Sequence, residues 1–442
     1  MKRYIPKLAL LIFMYLLISC GDKNGIVEPD VPAIKAEWKD WIVKNCYEIK
    51  IDNNDGNKNF SFLKSLLATK RIVQLGESSH GVKEYNLIKV ALIKYLHEKL
   101  GYNVIAFESS IYDCFYNYNY GLANGAVASI NNSLFKAWRT NEIVDLFNYI
   151  IKTQNSSNPL ILAGIDIQPI VDGNKSRPTF LKEVFDKIDT KTASDFYMFD
   201  DYFLSINFKD ANKSNFNSIL DKKDYLVSEY EKYLAVLENN WGKLTMAYGN
   251  NSPIPQIAKL AIRSSIKFVN EIYYNNKFMN KEYIEERDSS MAYNLDYLLK
   301  NIYRDKKVMV WAHNFHVSYN SQNIESPLYG GAVSMGSVIK KDYPDEIYTI
   351  GFYTYKGQVA DNFRNPLNVT SSTSENIEAV LYYSNYAYAF VDMKNQQMNS
   401  GNSWMFNKMK AKSFGVTDEI MILKDQYDAL IYVYESHLPD YY

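Results

Sequence analysis

Cysteine is scarce in this chain, with three residues in 442, namely Cys20, Cys46 and Cys114. That number excludes a disulfide framework. Cys46 and Cys114 have no patterned spacing and are expected to be buried free thiols, a single disulfide in an oxidising compartment being the alternative. An excess of one charge is also missing. The 49 basic and 50 acidic residues give a net charge of −1. No basic excess exists to neutralise phosphates, so nucleic acid is not expected as a partner. There is no internal repeat and no low-complexity tract. What is present, 47% hydrophobic and 22% charged residues, suits a globular chain with a large core rather than a disordered or multi-span membrane protein.

The first 20 residues are the sharpest local pattern. Lys2, Arg3 and Lys7 precede an apolar run, Leu8 to Ile18, too short to span a bilayer comfortably, and then "LISC". This resembles the lipobox of bacterial lipoproteins, in which the cysteine is lipidated and becomes the new first residue. The expectation is a signal peptide over 1–19, lipid on Cys20, a polar tether over 20–37, and a folded region over 38–442. The protein would then be exported and held on a membrane by its lipid rather than by a span.

Short apolar runs recur beyond the tether: "RIVQL", "YNVIAFES", "PLILAGID", "KKVMVWAHN", "EIYTIGFYT", "AYAFVD" and "DALIYVYES". Each is nearly continuous rather than alternating, as when both faces of a parallel strand are covered. Between them, Tyr85, Ile88, Leu92, Leu96 and Leu100 recur at helical spacing before Gly101, and "NEIVDLFNYIIKTQ" predicts a second helix. Alternating strands and helices predict an α/β fold with a mostly parallel central sheet flanked by helices. From about 172 to 300 the pattern turns to long polar helices, a helical insertion able to wall or cap a site.

Ligands in such sheets gather outside the carboxyl ends of the strands. The predicted strand ends carry Glu77 and His80, then Glu108, then Asp166 and Gln168, then His313, Asn314 and His316. Three of five histidines therefore share one edge with several acids. A lone strand-end glutamate is usually a cap or surface charge and a lone histidine usually structural. The convergence of several titratable groups points instead to catalysis.

These residues closely resemble the motifs of the erythromycin esterase family. They include "LGESSHG" with Glu77 and His80, "VIAFES" with Glu108, "FKAWRTNEIVDLFNYI" with Trp138 and Glu142, "GIDIQ" with Asp166, "ERDSSMAYNLDYLL" with Arg287 and Asp288, and "VWAHNFHV" with His313 and His316. They occur in the family's order from about residue 70 to the carboxyl end. The resemblance implies a hydrolase that opens macrolide lactones with water, without metal, cofactor or acyl-enzyme serine. It places the essential histidine at His80, the paired glutamates at Glu77 and Glu108, and the second histidine pair at His313 and His316. Lys89, Asp166, Arg287 and Asn314 are expected to contact substrate. The one departure is Lys89, where family members carry arginine; lysine keeps the charge and loses the bidentate fork.

Hydrolysis of an ester or lactone by water needs a base and a stabiliser of the developing oxyanion. His80 is the candidate base, with Glu77 or Glu108 as the carboxylate that orients it. His313 or His316, with backbone amides near Gly76 and Gly81, could serve the oxyanion. Three other readings compete. His313, His316, His80, Glu77 and Glu108 form a possible metal-ligand set. "AVSMG" around Ser334 approximates a nucleophile elbow but lacks a preceding apolar strand. A lipoprotein that binds a ligand without turnover would have little need for so many titratable groups.

Overall fold

The computed structural model describes residues 31–51, 60–170, 176–208, 219–278 and 281–442. The expected signal peptide, Cys20 and most of the tether lie outside the described residues. Residues Pro32–Tyr442 form one compact unit.

All seven apolar runs are strands. In chain order the strands are β1 (Cys46–Glu48), β2 (Ile72–Leu75), β3 (Tyr102–Ser110), β4 (Ile161–Asp166), β5 (Lys307–Trp311), β6 (Ile347–Ala360), β7 (Pro366–Asn368), β8 (Tyr388–Asp392), β9 (Lys408–Ser413), β10 (Thr417–Ile422) and β11 (Ala429–Ser436). The main sheet has the order β1-β8-β11-β6-β2-β5-β3-β4, with β7 paired to β6. From β11 to β4 every neighbouring pair is parallel. β8 is antiparallel to β11, and β1 antiparallel to β8. "AYAFVD" thus departs from the parallel reading, because burial on both faces makes a strand apolar without fixing its direction.

The unbroken apolar runs have a direct cause. Ile72, Val104, Ala106, Val308 and Val310 belong to one buried cluster, while Val73, Ile105, Phe107, Met309 and Trp311 belong to another. Successive side chains point to opposite faces of a sheet, so each strand feeds two cores. Helix Lys83–Leu100 lies in the second core through Tyr85, Ile88, Leu92 and Leu96. It stops at Gly101, whose φ of 73° is a left-handed cap that glycine adopts without penalty.

Between β4 and β5 the described residues contain helices and no strand. The last long helix there, Lys281–Tyr297, packs on β4 and brings Arg287 and Asp288 to the sheet's carboxyl edge. Four strands went unanticipated: the three-residue β1 and β7, and β9 and β10, which form a separate antiparallel hairpin. Both cysteines within the described residues are free thiols, Cys114 buried as expected and Cys46 half-buried.

Candidate active site

At the end of β2 the chain passes through Gly76, where a side chain would meet Asn314 Oδ1 at 2.2 Å. Glu77 follows, fully buried. Its Oε1 accepts from His80 Nδ1 at 2.7 Å and Trp138 Nε1 at 2.9 Å, and its Oε2 from Lys89 Nζ at 2.6 Å and Trp311 Nε1 at 2.9 Å. Burial alone would push this carboxyl up, but the Lys89 ammonium and then the His80 hydrogen bond hold it below its ordinary value. An ionised Glu77 can only accept, so the His80 proton must sit on Nδ1. In the neutral ring Nε2 then carries the lone pair, and His80 lines the cavity described below.

Glu108 reaches the same place through an irregularity. β3 and β4 pair at Phe107↔Gly164 and again at Ser110↔Asp166, so Glu108 and Ser109 oppose the single residue Ile165. Such a bulge re-aims a side chain. Glu108 Oε2 accepts from the His313 backbone N–H at 2.8 Å, while Oε1 faces Arg287 at 2.9 Å and His316 Nε2 at 3.2 Å. Burial opposes ionisation, yet His316 and Arg287 hold this carboxyl well below its usual range. Arg287 also forks onto Asp166 through Nε and a terminal nitrogen.

The second histidine pair divides into unlike members. His316 Nδ1 faces Asp288 at 2.9 Å and its Nε2 faces Glu108. Burial would lower its pKa, but the two carboxylates prevail and push it up to about 10, so it is an imidazolium at neutral pH. His313 is lowered to about 3 by burial first and then by His80 and His316. Its neutral ring donates from Nε2 to the Ser78 carbonyl at 3.2 Å and accepts the Phe315 N–H at Nδ1.

His80, Glu108, Arg287, Asp288, His313 and His316 line one cavity of about 240 Å³. The far-apart strand ends therefore do meet. Lys89 and Asn314, expected at the substrate, stand behind the wall: Lys89 is fully buried against Glu77, and Asn314 is tied by both side-chain atoms to the Phe352 backbone. Asp166 holds Arg287 from beneath. Tyr283, Ile284, Leu328, Tyr329, Asn362 and Phe414 complete the lining and were not anticipated. Phe414 stacks on His313 with ring centroids 5.1 Å apart, and its N–H donates to Ser78 O at 2.7 Å. Only the adjacent Gly415 hinted at a turn there.

The comparisons with known proteins bear on the family and the fold. The erythromycin esterase family profile matches residues 97–436. The chain belongs to the erythromycin esterase family. Its match to YbfO of Bacillus subtilis (strain 168), a protein named only provisionally as a hydrolase, is 31% identical and covers 98% of both chains. Erythromycin esterase type II of Escherichia coli is 24% identical over 73% of this chain and 78% of its own. Among solved structures, a Bacillus cereus protein aligns with a TM-score of 0.79 at 17% identity, over 93% of this chain and 100% of that one. The open conformation of a mutant erythromycin esterase, EreC, aligns at 0.63 and 18% identity, over 88% and 96%. At such identities these two show the shared fold.

Within this esterase-family fold, Ser334 caps the helix Met335–Asp342 and donates to Ser318 O at 2.7 Å, a structural task. Among the described residues no three His, Cys, Asp or Glu side chains converge in a metal-binding arrangement.

Proposed function

We propose that this enzyme hydrolyses a carboxylic ester or lactone in a small molecule, with water activated by His80 and no acyl-enzyme. The observation carrying this reading is the Glu77–His80 pair, which fixes one imidazole tautomer and leaves Nε2 free at the cavity. Nε2 takes a proton from water as the water oxygen bonds to the carbonyl carbon. Arg287 and the His316 imidazolium, each already paired to carboxylates, are the cationic groups of the cavity wall that could steady the developing oxyanion. Collapse breaks the carbon to alkoxy-oxygen bond, and the proton on His80 passes to the departing alkoxide. Glu77 favours the transient imidazolium without itself becoming protonated.

A 14-membered macrolide lactone is the substrate to test first. Mass spectrometry of erythromycin after incubation should show a gain of one water, and His80→Ala should reduce turnover by about a hundredfold or more while remaining folded. Near-wild-type turnover in that variant would remove the base assignment. The cavity volume favours a second reading, a smaller ester, because ligand sites for drug-sized molecules span roughly 300–1,000 Å³. Unchanged erythromycin alongside hydrolysis of p-nitrophenyl acetate would select it. We further propose that the enzyme acts outside the cytoplasm, anchored through lipid on Cys20. Labelling with a radioactive fatty acid should be lost in Cys20→Ala.

A further inference from the structure

A hollow of about 680 Å³ lies apart from the catalytic cavity and shares no lining residue with it. Arg304 and Asp305 at its rim precede β5, whose other end leads to His313. The five residues of β5, about 16 Å of strand, separate the two places. The remaining wall comes from the helical insertion and from Asn301 and Ile302 beside it.

The lining has a definite chemistry. Its charges balance: Glu238 and Asp305 stand against Lys259 and Arg304, with Lys259 paired to Glu238 at 2.7 Å. A polyanion or polycation would find no net field there. Planar amides come from Asn250, Asn251, Gln256 and Asn301. Asn250 and Asn251 are exposed and make no side-chain hydrogen bond among the described residues, and the buried Gln256 Oε1 has no partner. Asn250 and Asn251 each offer a donor beside an acceptor, matching a pair of neighbouring hydroxyls, while Gln256 Nε2 donates to Ser252 O and Asn301 Nδ2 to Tyr297 O. Trp241 and Tyr297 add aromatic surface, and the Trp241 indole N–H has no partner among the described residues. An aromatic face with a polar edge suits a ligand apolar on one side and hydroxylated around its rim. Among the described residues no serine, cysteine or histidine lines the hollow, so it holds no serine or cysteine nucleophile and no imidazole base.

We propose that this hollow is a second, non-catalytic binding site that takes a neutral saccharide. It would hold the enzyme on a glycan or sugar-bearing surface while the opposite end of the sheet works.

Titration calorimetry of the full chain against maltohexaose, cellohexaose and chitohexaose tests it. At least one should bind, with affinity falling about tenfold in Trp241→Ala, the scale of one lost aromatic contact. Because Trp241 packs partly on the core, the exposed Asn251→Ala serves as a second variant and should also weaken binding. His80→Ala should bind unchanged. Failure of all three sugars to bind, or binding indifferent to both groove variants, overturns the proposal. So does binding of inorganic phosphate at the groove in place of sugar.

Discussion

Four donors converge on the Glu77 carboxylate, and two of them, His80 and Lys89, are cations or become cations. The arrangement answers the departure at Lys89: a fully buried lysine reaches one carboxylate oxygen as a point charge, and its ammonium also lies 4.6 Å from the Trp311 ring centre. Burial outweighs that attraction enough to lower Lys89 to about 8. Glu77→Gln should therefore harm both rate and stability. The amide turns a donor toward other donors, freeing the His80 tautomer, and single-turnover rates should fall by about a hundredfold or more. It also strands a buried ammonium, at about 3–5 kcal/mol. Adding Lys89→Met should restore much of the melting temperature but not the rate. Full recovery of rate would show that the charge at Glu77 is dispensable.

The His316 shift gives a residue-level prediction with a definite sign. Its folded value of about 10 lies above the ordinary 6.5, so the stability it contributes is complete below 6.5 and is lost as pH rises toward 10. Glu108 has the opposite sense, stabilising above its ordinary 4.5 and losing that contribution as pH falls. Melting measured between pH 6.5 and 10 should decline with a slope of up to about 1.4 kcal/mol per unit from His316. His316→Asn should flatten that slope. Glu77 and His80 were legible together because only two residues of local chain separate them. Trp311 and Trp138 were not legible as partners, since only the fold brings them to the same carboxylate.

At the scale of the element, the bulge in β3 is the least predictable feature and among the most consequential. It opposes Glu108 and Ser109 to Ile165, and it depends on Gly164, where an added side-chain carbon would lie 2.2 Å from Ser110 O and 2.5 Å from Ser109 O. Backbone oxygens cannot swing aside as a side-chain tip can. Gly164→Ala should cost about 1–3 kcal/mol by overpacking and should also lower turnover, because the strand that carries Glu108 must shift. Chemical denaturation with parallel kinetics checks this, and a fully stable variant with normal turnover would mean the bulge does not position Glu108. The apolar runs announced seven strands, since burial on two faces leaves a continuous mark. The bulge leaves none, because its cause is the close approach of two backbones. β9 and β10 were missed for a related reason: "KMKAKS" is too charged to read as buried, yet its hairpin delivers Phe414 to His313.

For the whole molecule, the sequence boundary at Trp38 lies close to the folded edge without coinciding with it. The first helix spans Ala36–Asn45, and the Tyr383 hydroxyl already donates to Pro32 O at 3.2 Å. Trp38 and Ile42 from this helix are buried in the same core as the strands, and Trp38 Nε1 donates to Ser403 at 2.9 Å. Every residue of the candidate site lies within Pro32–Tyr442. A chain beginning at Pro32 should therefore melt at the temperature of the full-length protein and turn over a soluble ester at the same rate. A chain beginning at Cys46 loses both core residues and exposes the surface they covered. Removing one buried tryptophan alone costs about 3–5 kcal/mol, a large part of the 5–15 kcal/mol that holds a typical domain together. The shorter chain should be insoluble or melt many degrees lower. Equal stability of the two truncations would show that the amino-terminal helix only rests on the core and takes no share in it.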